Sequence, residues 1–398
     1  MVLSHEESAL RDRLHASQSI MMQRLAKMVA ISSGFGNTQG LDALRTMIAA
    51  RLSALGATIE FVPADARPSW VDHAPGLDPR APTLIARCGQ GQRAVSLLLC
   101  VHIDTVHDPQ GDFQKLLPRG DGAFTGPGAV DMKGGIEVML SALEALHAQG
   151  KVIAWTVMVV SDEESGSFGA AAAIAREAEK HQFAFVMEPA TSVGDLVVQR
   201  PGSGQFLLQA FGRAAHAGRD FAQGVSAVQA LAKAVTAAGQ MSDASTGRIV
   251  NVGPLQGGVA TNIVPDVAKA WGNIRFRDEA EGRLLGAAID ALASGGDGEV
   301  PRVRVQRIMN RPAKPCTLAV RELGERAQAV AADLGFHVGL AATGGVSDAN
   351  LIQQAGPPTL DGLGVRGGNL HRSDEFMWPE SLPERAALLA ILIFRQSQ

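Results

Sequence analysis

A set of side chains that can bind a cation or move a proton follows the ends of apolar runs in this chain. His102 comes directly after the run Ser96–Val101, with Asp104 two residues on. Asp131 lies between a turn (Gly126, Pro127, Gly128) and a helix start (Lys133, Gly134, Gly135). Glu163 and Glu164 follow Ile153–Val160, Glu188 follows Phe183–Met187, and His371 comes late in the chain. Ligand sites in α/β sheets form at the carboxyl ends of strands, so runs that end this way converge. Taken singly, each residue has another account. His102 could be a packed core imidazole, Asp131 a helix N-cap, Glu163 and Glu164 solvated loop charges, Glu188 a turn residue and His371 a surface residue.

As a set, His102, Asp131, Glu164, Glu188 and His371 suit two zinc-like ions: two imidazoles, one bridging carboxylate and two further carboxylates. Charge supports this. Two divalent ions bring four positive charges, and three carboxylates with one hydroxide balance them. Without a metal, clustered carboxylates repel and take up protons. Two ions about 3.5 Å apart share one oxygen, lower its pKa and polarise a substrate carbonyl. Glu163, adjacent to a ligand, is left as general base. Asp104 is placed to orient the His102 imidazole.

The elements that must position these groups form an α/β pattern. The runs at Ser96–Val101, Ile153–Val160 and Phe183–Met187 are short and apolar, as buried strands are. Strands are also expected at Thr58–Val62 and Thr83–Cys88, and helices over Glu6–Val29, Leu41–Leu55, Met132–Ala148 and Ser167–Lys180. The order predicts a layered α/β domain with much of its sheet parallel. Asp65–Pro82, rich in proline, reads as an irregular loop. From residue 201 the pattern changes. A strand at Gln205–Gly212, a helix at Val225–Ala238, strand-like runs at Arg248–Val252, Val264–Ala270 and Trp271–Arg277, a helix at Glu279–Ala293 and a strand at Val303–Met309 fit, with one run in excess, the β-α-β-β-α-β sandwich of the ferredoxin type. After Arg311–Pro315 the α/β pattern resumes, ending in a helix at Glu384–Arg395. The expected architecture is therefore a catalytic domain of residues 1–200 and 311–398, interrupted by an inserted domain of residues 201–310.

Composition narrows the function classes. At 398 residues the chain exceeds one typical core. Its net charge of −4 speaks against a nucleic-acid surface. No stretch approaches the roughly 20 apolar residues that span a bilayer. The N-terminal segment lacks the apolar core of a secretory signal. Cys88, Cys100 and Cys316 cannot form a disulfide framework, so a reducing cytoplasm is expected.

The motifs HIDTV (His102–Val106), GPGAVDMKGG (Gly126–Gly135), DEESGSFG (Asp162–Gly169), EPA (Glu188–Ala190), AHAG (Ala215–Gly218) and GGVSDAN (Gly344–Asn350), with the late His371, run in order through nearly the whole chain. Together they resemble the aminoacylase/carboxypeptidase family of co-catalytic zinc hydrolases, and most of all its folate-cleaving glutamate carboxypeptidases. The resemblance implies a zinc-peptidase-like α/β/α catalytic domain with an inserted dimerisation and lid domain. It implies two Zn2+ per subunit, replaceable by Co2+ or Mn2+, one held by His102, Asp131 and Glu188 and the other by Asp131, Glu164 and His371. It assigns Glu163 as the base and implies a cis peptide after Asp131. His216 resembles a residue that reaches a partner subunit's site and stabilises the oxyanion. Asn262 and Arg275 resemble residues that grip the substrate's free α-carboxylate, Arg275 by two parallel hydrogen bonds. Arg311 resembles another substrate-side arginine. Gly344 and Gly345 would let backbone approach the substrate.

The expected activity is that of a dimeric di-zinc carboxypeptidase that cleaves the amide bond before a C-terminal glutamate of a small molecule or short peptide. The rivals are an N-acyl-amino-acid deacylase of the acetylornithine or succinyl-diaminopimelate type and a dipeptidase. A metal-free binding or scaffold protein is the alternative outside enzymes.

Overall fold

The computed structural model describes residues 2–34, 36–72, 80–89, 96–151 and 153–397. The chain divides into two compact units, one formed by Met1–Ala66, Gly76–Arg200 and Lys314–Gln398, the other by Arg67–Pro75 and Pro201–Ala313. Within the expected loop Asp65–Pro82, the Ser69–Val71 turn packs in the second unit, where the Trp271 indole donates to the Trp70 carbonyl at 2.7 Å. Residues 73–79 of that loop lie outside the described residues.

The first unit is built on a six-stranded sheet. Its order is Thr58–Val62, Thr83–Cys88, Trp155–Val160, Leu97–His102, Phe183–Val186 and Thr359–Leu360. The last four run parallel and the first two pair antiparallel. Side chains alternate across the sheet, so each central strand feeds two cores. Leu97, Leu99, Val101, Val157, Val159 and Phe185 face one core, shared with helices Lys133–Ala148 and Ser381–Gln396. Leu98, Cys100, Met158, Val160 and Val186 face the other, shared with Ala171–Ala178 and Asp348–Gln354. The result is an α/β/α layer structure, with strand ends Val160, His102 and Val186 at one edge. Gly135 explains how the Lys133–Ala148 helix gets so close to that edge: a Cβ there would lie 2.1 Å from the Met187 carbonyl oxygen.

In the second unit the strand order is Ile249–Gly257, Val267–Phe276, Gly202–Phe211 and Arg302–Arg311, all antiparallel. Helices Ala227–Gly239 and Glu279–Asp290 bury Phe206, Leu208, Ala270 and Ile274 on one face. This is the ferredoxin-like sandwich.

Several boundaries differ from expectation for local reasons. The helix expected over Glu6–Val29 is two, His5–Ala16 and Gln18–Val29. They separate at Ser17, whose hydroxyl donates back to the Arg13 carbonyl at 2.8 Å. The strands expected at Val264–Ala270 and Trp271–Arg277 are in register as one strand, Val267–Phe276, preceded by the two-residue strand Ile263–Val264. The final helix starts at Ser381 rather than Glu384, because Pro383 falls in the first turn, where a missing N–H costs nothing.

One ion cluster on this scaffold gives a pH-dependent prediction. The buried Glu177 carboxylate accepts from Arg87 at 2.6 and 3.0 Å, Lys180 at 2.8 Å and His181 at 3.5 Å. Burial disfavours its charge, but the bonds to His181, Arg87 and Lys180 outweigh burial and depress its pKa. A depressed carboxylate pKa contributes stability above the unfolded value of about 4.3, and that stability is lost as pH falls below it. Glu177→Gln is expected to lower the melting temperature at pH 7, with the gap to wild type closing as pH drops below about 4. A gap unchanged at pH 3 would show that the charge of Glu177 is not what stabilises.

Candidate active site

Each expected metal-binding residue of the first unit falls at the carboxyl edge of the parallel strands or in a loop facing it. His102 is the last residue of its strand and is buried. Asp131 precedes the Lys133–Ala148 helix, and the Asp131–Met132 peptide is cis, as the resemblance implies. Glu163 and Glu164 follow Trp155–Val160, and Glu188 follows Phe183–Val186. His371 lies in a loop between the paired strands Gly367–Gly368 and Phe376–Met377, with its side chain 53% exposed.

The side chains converge. Asp131 Oδ1 lies 3.2 Å from His102 Nε2, and Asp131 Oδ2 lies 3.5 Å from His371 Nε2. Glu188 Oε1 is 3.7 Å from His102 Nε2, and Glu164 Oε2 is 3.3 Å from His371 Nε2. Asp131 thus stands between the two imidazoles, one oxygen toward each. Potential ligand atoms of His102, Glu163 and Glu188 lie within 4.8 Å of one another, as do those of His102, Asp131 and Glu164. Glu163 therefore faces the same space as the ligands beside it.

Asp104 meets the imidazole of His102 with both its main chain and its side chain, and it does more besides. His102 Nδ1 is 3.0 Å from the Asp104 backbone carbonyl and 3.5 Å from its carboxylate. The carboxylate also accepts the backbone N–H of Glu163 at 3.2 Å and of Glu164 at 2.8 Å. One residue thereby orients the imidazole through its carbonyl and carboxylate and holds the backbone of the two glutamates through the same carboxylate.

Electrostatics test whether this donor set fits cations. Burial and then the charge of Asp131 push the Glu188 pKa well above the ordinary range. Burial and Asp131 also raise Glu164. Burial opposes a charged His102, but hydrogen bonds to Asp104 and Asp131 outweigh it and raise its pKa well above the usual value. His371 is pushed up to about 11 by its bonds to Asp131 and Glu164. Burial disfavours ionised Asp131, yet the two imidazoles hold its pKa below the ordinary value. Each imidazole is thus drawn to the positive form by clustered carboxylates, a demand for positive charge that divalent ions meet. The nitrogen and oxygen donors are those that zinc-like ions prefer.

The candidate substrate residues of the second unit form two separate groups. His216 and Asn262 share a short ribbon in which Ala215–His216 pairs with Ile263–Val264 and Ala217 N–H donates to the Asn262 carbonyl at 2.9 Å. Both are exposed. The Gly218 N–H donates to His216 Nδ1 at 3.1 Å, which makes Nε2 the protonated nitrogen of the neutral ring. Arg275 and Arg311 lie at the other end of the sheet, where both are register partners of Ser203 on the central strand. Directly opposed residues share a face, so the half-buried Arg275 and the buried Arg311 flank Ser203 on one face. From Val267, next to the ribbon, to Arg275 is eight residues of continuous strand, about 26 Å. The sequence expectation that Asn262 and Arg275 grip one carboxylate together is therefore not met within one subunit. Gly344 has open space where a Cβ would stand, and the Gly345 carbonyl accepts from Arg200 at 3.1 Å.

Two residues of the site carried no signal in the sequence. Glu375 ends a polar run, HRSDE, that reads as a solvated loop, and His107 lies in a stretch that reads as surface. Only the fold brings them to the loop that carries Asp131.

Comparison with known proteins agrees with this geometry. The family model described as Peptidase family M20/M25/M40 matches residues 98–395. The chain is 29% identical to carboxypeptidase G2 of Pseudomonas sp. strain RS-16 over 387 residues, covering 94% of this chain and 89% of that protein. It is 28% identical to a succinyl-diaminopimelate desuccinylase of Methylobacterium radiotolerans over 324 residues, covering 75% and 79%. The fold is shared with the Bacillus subtilis YxeP protein, described as a dinuclear metal binding peptidase, with a TM-score of 0.71, 16% identity and coverage of 98% and 100%. The family match takes in all but the first residue of the strand ending in His102 and every one of the candidate metal-binding residues, so this chain is a metal-dependent hydrolytic enzyme and belongs to peptidase family M20/M25/M40.

Proposed function

We propose that this protein is a di-zinc carboxypeptidase of the glutamate type, which cleaves the amide bond before a C-terminal amino acid with a free α-carboxylate. His102, Asp131 and Glu188 would hold one ion, and Asp131, Glu164 and His371 the other. When bound, the two ions supply Lewis acidity to the scissile carbonyl and lower the pKa of water.

The rest of the chemistry falls to the chain. Glu163 takes a proton from the attacking water as its oxygen bonds to the carbonyl carbon. It then delivers that proton to the nitrogen as the carbon–nitrogen bond breaks, and the second water proton passes from the new carboxylic acid to the amine, so a carboxylate and a protonated amine leave. The Asp104 carboxylate keeps the Glu163 and Glu164 backbone in place. The Nε2–H of His216 donates to the oxyanion that forms on the carbonyl oxygen.

The observation that carries the substrate class is the pair of arginines, Arg275 and Arg311, at the register positions flanking Ser203. A planar, permanently charged fork suits a carboxylate, and two of them on one face suit a substrate with an α-carboxylate and a second carboxylate. The likeness to carboxypeptidase G2 supports the same reading. The strand-length separation of Asn262 and His216 from Arg275 supports a homodimer, in which the exposed ribbon of one subunit serves the other's site. Exposed Ile249, Leu255 and Val228 on the edge strand and the neighbouring helix of the second unit offer apolar surface for such an interface. Three unpaired cysteines fit a reducing cytoplasm. No helix among the described residues is long and apolar enough to cross a membrane.

The test is amide hydrolysis by the zinc-loaded protein on folate, dipeptides ending in glutamate, N-acetylornithine, N-succinyl-diaminopimelate and simple N-acetyl amino acids. The expected result is a preference for folate or X-Glu substrates by at least tenfold in kcat/KM. A preference for N-succinyl-diaminopimelate, in line with the desuccinylase relative, or for another N-acyl amino acid would replace the carboxypeptidase reading with that of a deacylase using the same centre.

A further inference from the structure

One buried carboxylate near the metal-binding residues is given no role by the reading above. Glu375 is 1% exposed. Its Oε1 accepts the backbone N–H of Val130 at 2.9 Å and of Asp131 at 3.1 Å. Its Oε2 accepts the N–H of Gly128 at 3.1 Å and lies 2.6 Å from His107 Nε2. Its main-chain carbonyl accepts the N–H of Gly126 at 3.1 Å and the Thr125 hydroxyl at 2.7 Å.

The loop Gly126–Asp131 has no sheet partner of its own, so its N–H groups need acceptors elsewhere. Glu375 supplies them. It reaches the loop because Phe376–Met377 pairs with Phe124–Thr125, which puts residue 375 opposite the loop's start. A buried carboxylate is costly unless fully bonded, and this one is bonded on both oxygens. The same residue lies four positions after His371. Glu375 therefore joins the backbone of Asp131 to the loop that carries His371, the two groups whose atoms stand 3.5 Å apart.

We propose that Glu375 is a positioning residue, braced by His107, that sets the separation of Asp131 and His371 and so the affinity of the ion those two share with Glu164. The ion held by His102 and Glu188 depends on it less, because His102 is fixed by its own strand and by the Asp104 carbonyl. This rests on the two-ion assignment above.

The test is titration of the apo protein with Zn2+ against a competing chelator, in wild type, Glu375→Gln and His107→Gln, together with the melting temperature of each apo form. Wild type is expected to bind two ions, and His371→Ala to lose one of them; if wild type binds fewer than two, the two-ion reading fails before Glu375 is at issue. In Glu375→Gln one ion is expected to bind about 10–100-fold more weakly and the other nearly as in wild type, the range seen when groups supporting metal ligands are removed. His107→Gln should weaken the same ion by a smaller factor. If Glu375→Gln lowers only the apo melting temperature and both ions bind as in wild type, Glu375 is merely structural and the proposal is overturned. If Glu375→Gln does not fold, His107→Gln decides: selective weakening of one ion upholds the proposal, and unchanged binding of both overturns it.

Discussion

Glu163→Gln is expected to keep both metal ions and lose turnover by about 10²–10⁴-fold in kcat, the contribution typical of a positioned general base. Glutamine preserves shape but cannot accept the water proton and return it to the leaving amine. KM should change little, because Glu163 acts on the water rather than on the substrate's anchoring groups. The main-chain bonds from residues 163 and 164 to Asp104 are unaffected by the substitution, so the ligand Glu164 should stay in place. The decisive pair of measurements is metal content and steady-state kinetics on one preparation. Near-normal kcat with both ions bound would remove Glu163 from the mechanism. Loss of an ion would mean that its proximity to His102 and Glu188 makes it a ligand instead.

His216→Ala is expected to lower kcat by about 10²–10³-fold, as removal of one oxyanion donor does, with metal content and fold intact because the side chain is exposed. The informative experiment mixes this variant with Glu163→Gln. Each is nearly inactive alone. If His216 serves the partner's site, a hybrid dimer has one site with Glu163 and His216 both present and one with neither. Random exchange then restores about a quarter of wild-type activity, since a twofold dimer presents the same surface on both subunits. Absence of recovery, with exchange demonstrated by a tagged subunit, would confine His216 to its own subunit or to no catalytic role.

These two variants also mark where the chemistry was legible. Glu163 could be singled out without coordinates because it adjoins Glu164 after an apolar strand, and the end of a parallel strand is where a site forms. The same logic located His102 and Glu188. Local periodicity also conveyed the layered α/β pattern and the change at residue 201 to a sandwich, because alternation and helical spacing are properties of neighbouring residues.

Other features depend on pairing across long stretches of chain. That the Asp104 carboxylate holds the backbone of the glutamates follows from the approach of two loops whose bonded residues, Asp104 and Glu163, are 59 positions apart. That Arg275 and Arg311 flank one serine, while Asn262 lies a strand's length away, is a matter of register. Register is set by which faces are buried, and a slip of one residue would turn every side chain over. Glu375 is the clearest case. The residues before it, His371–Asp374, are polar, yet its own carboxylate is buried, because strand pairing brings it to a loop 244 residues earlier whose N–H groups need an acceptor. The sequence by itself determined which residue types stand at the strand ends and hence the class of chemistry. Only the tertiary structure decided which atoms meet, because hydrogen-bond partners and distances are set by packing between segments that are remote in the chain.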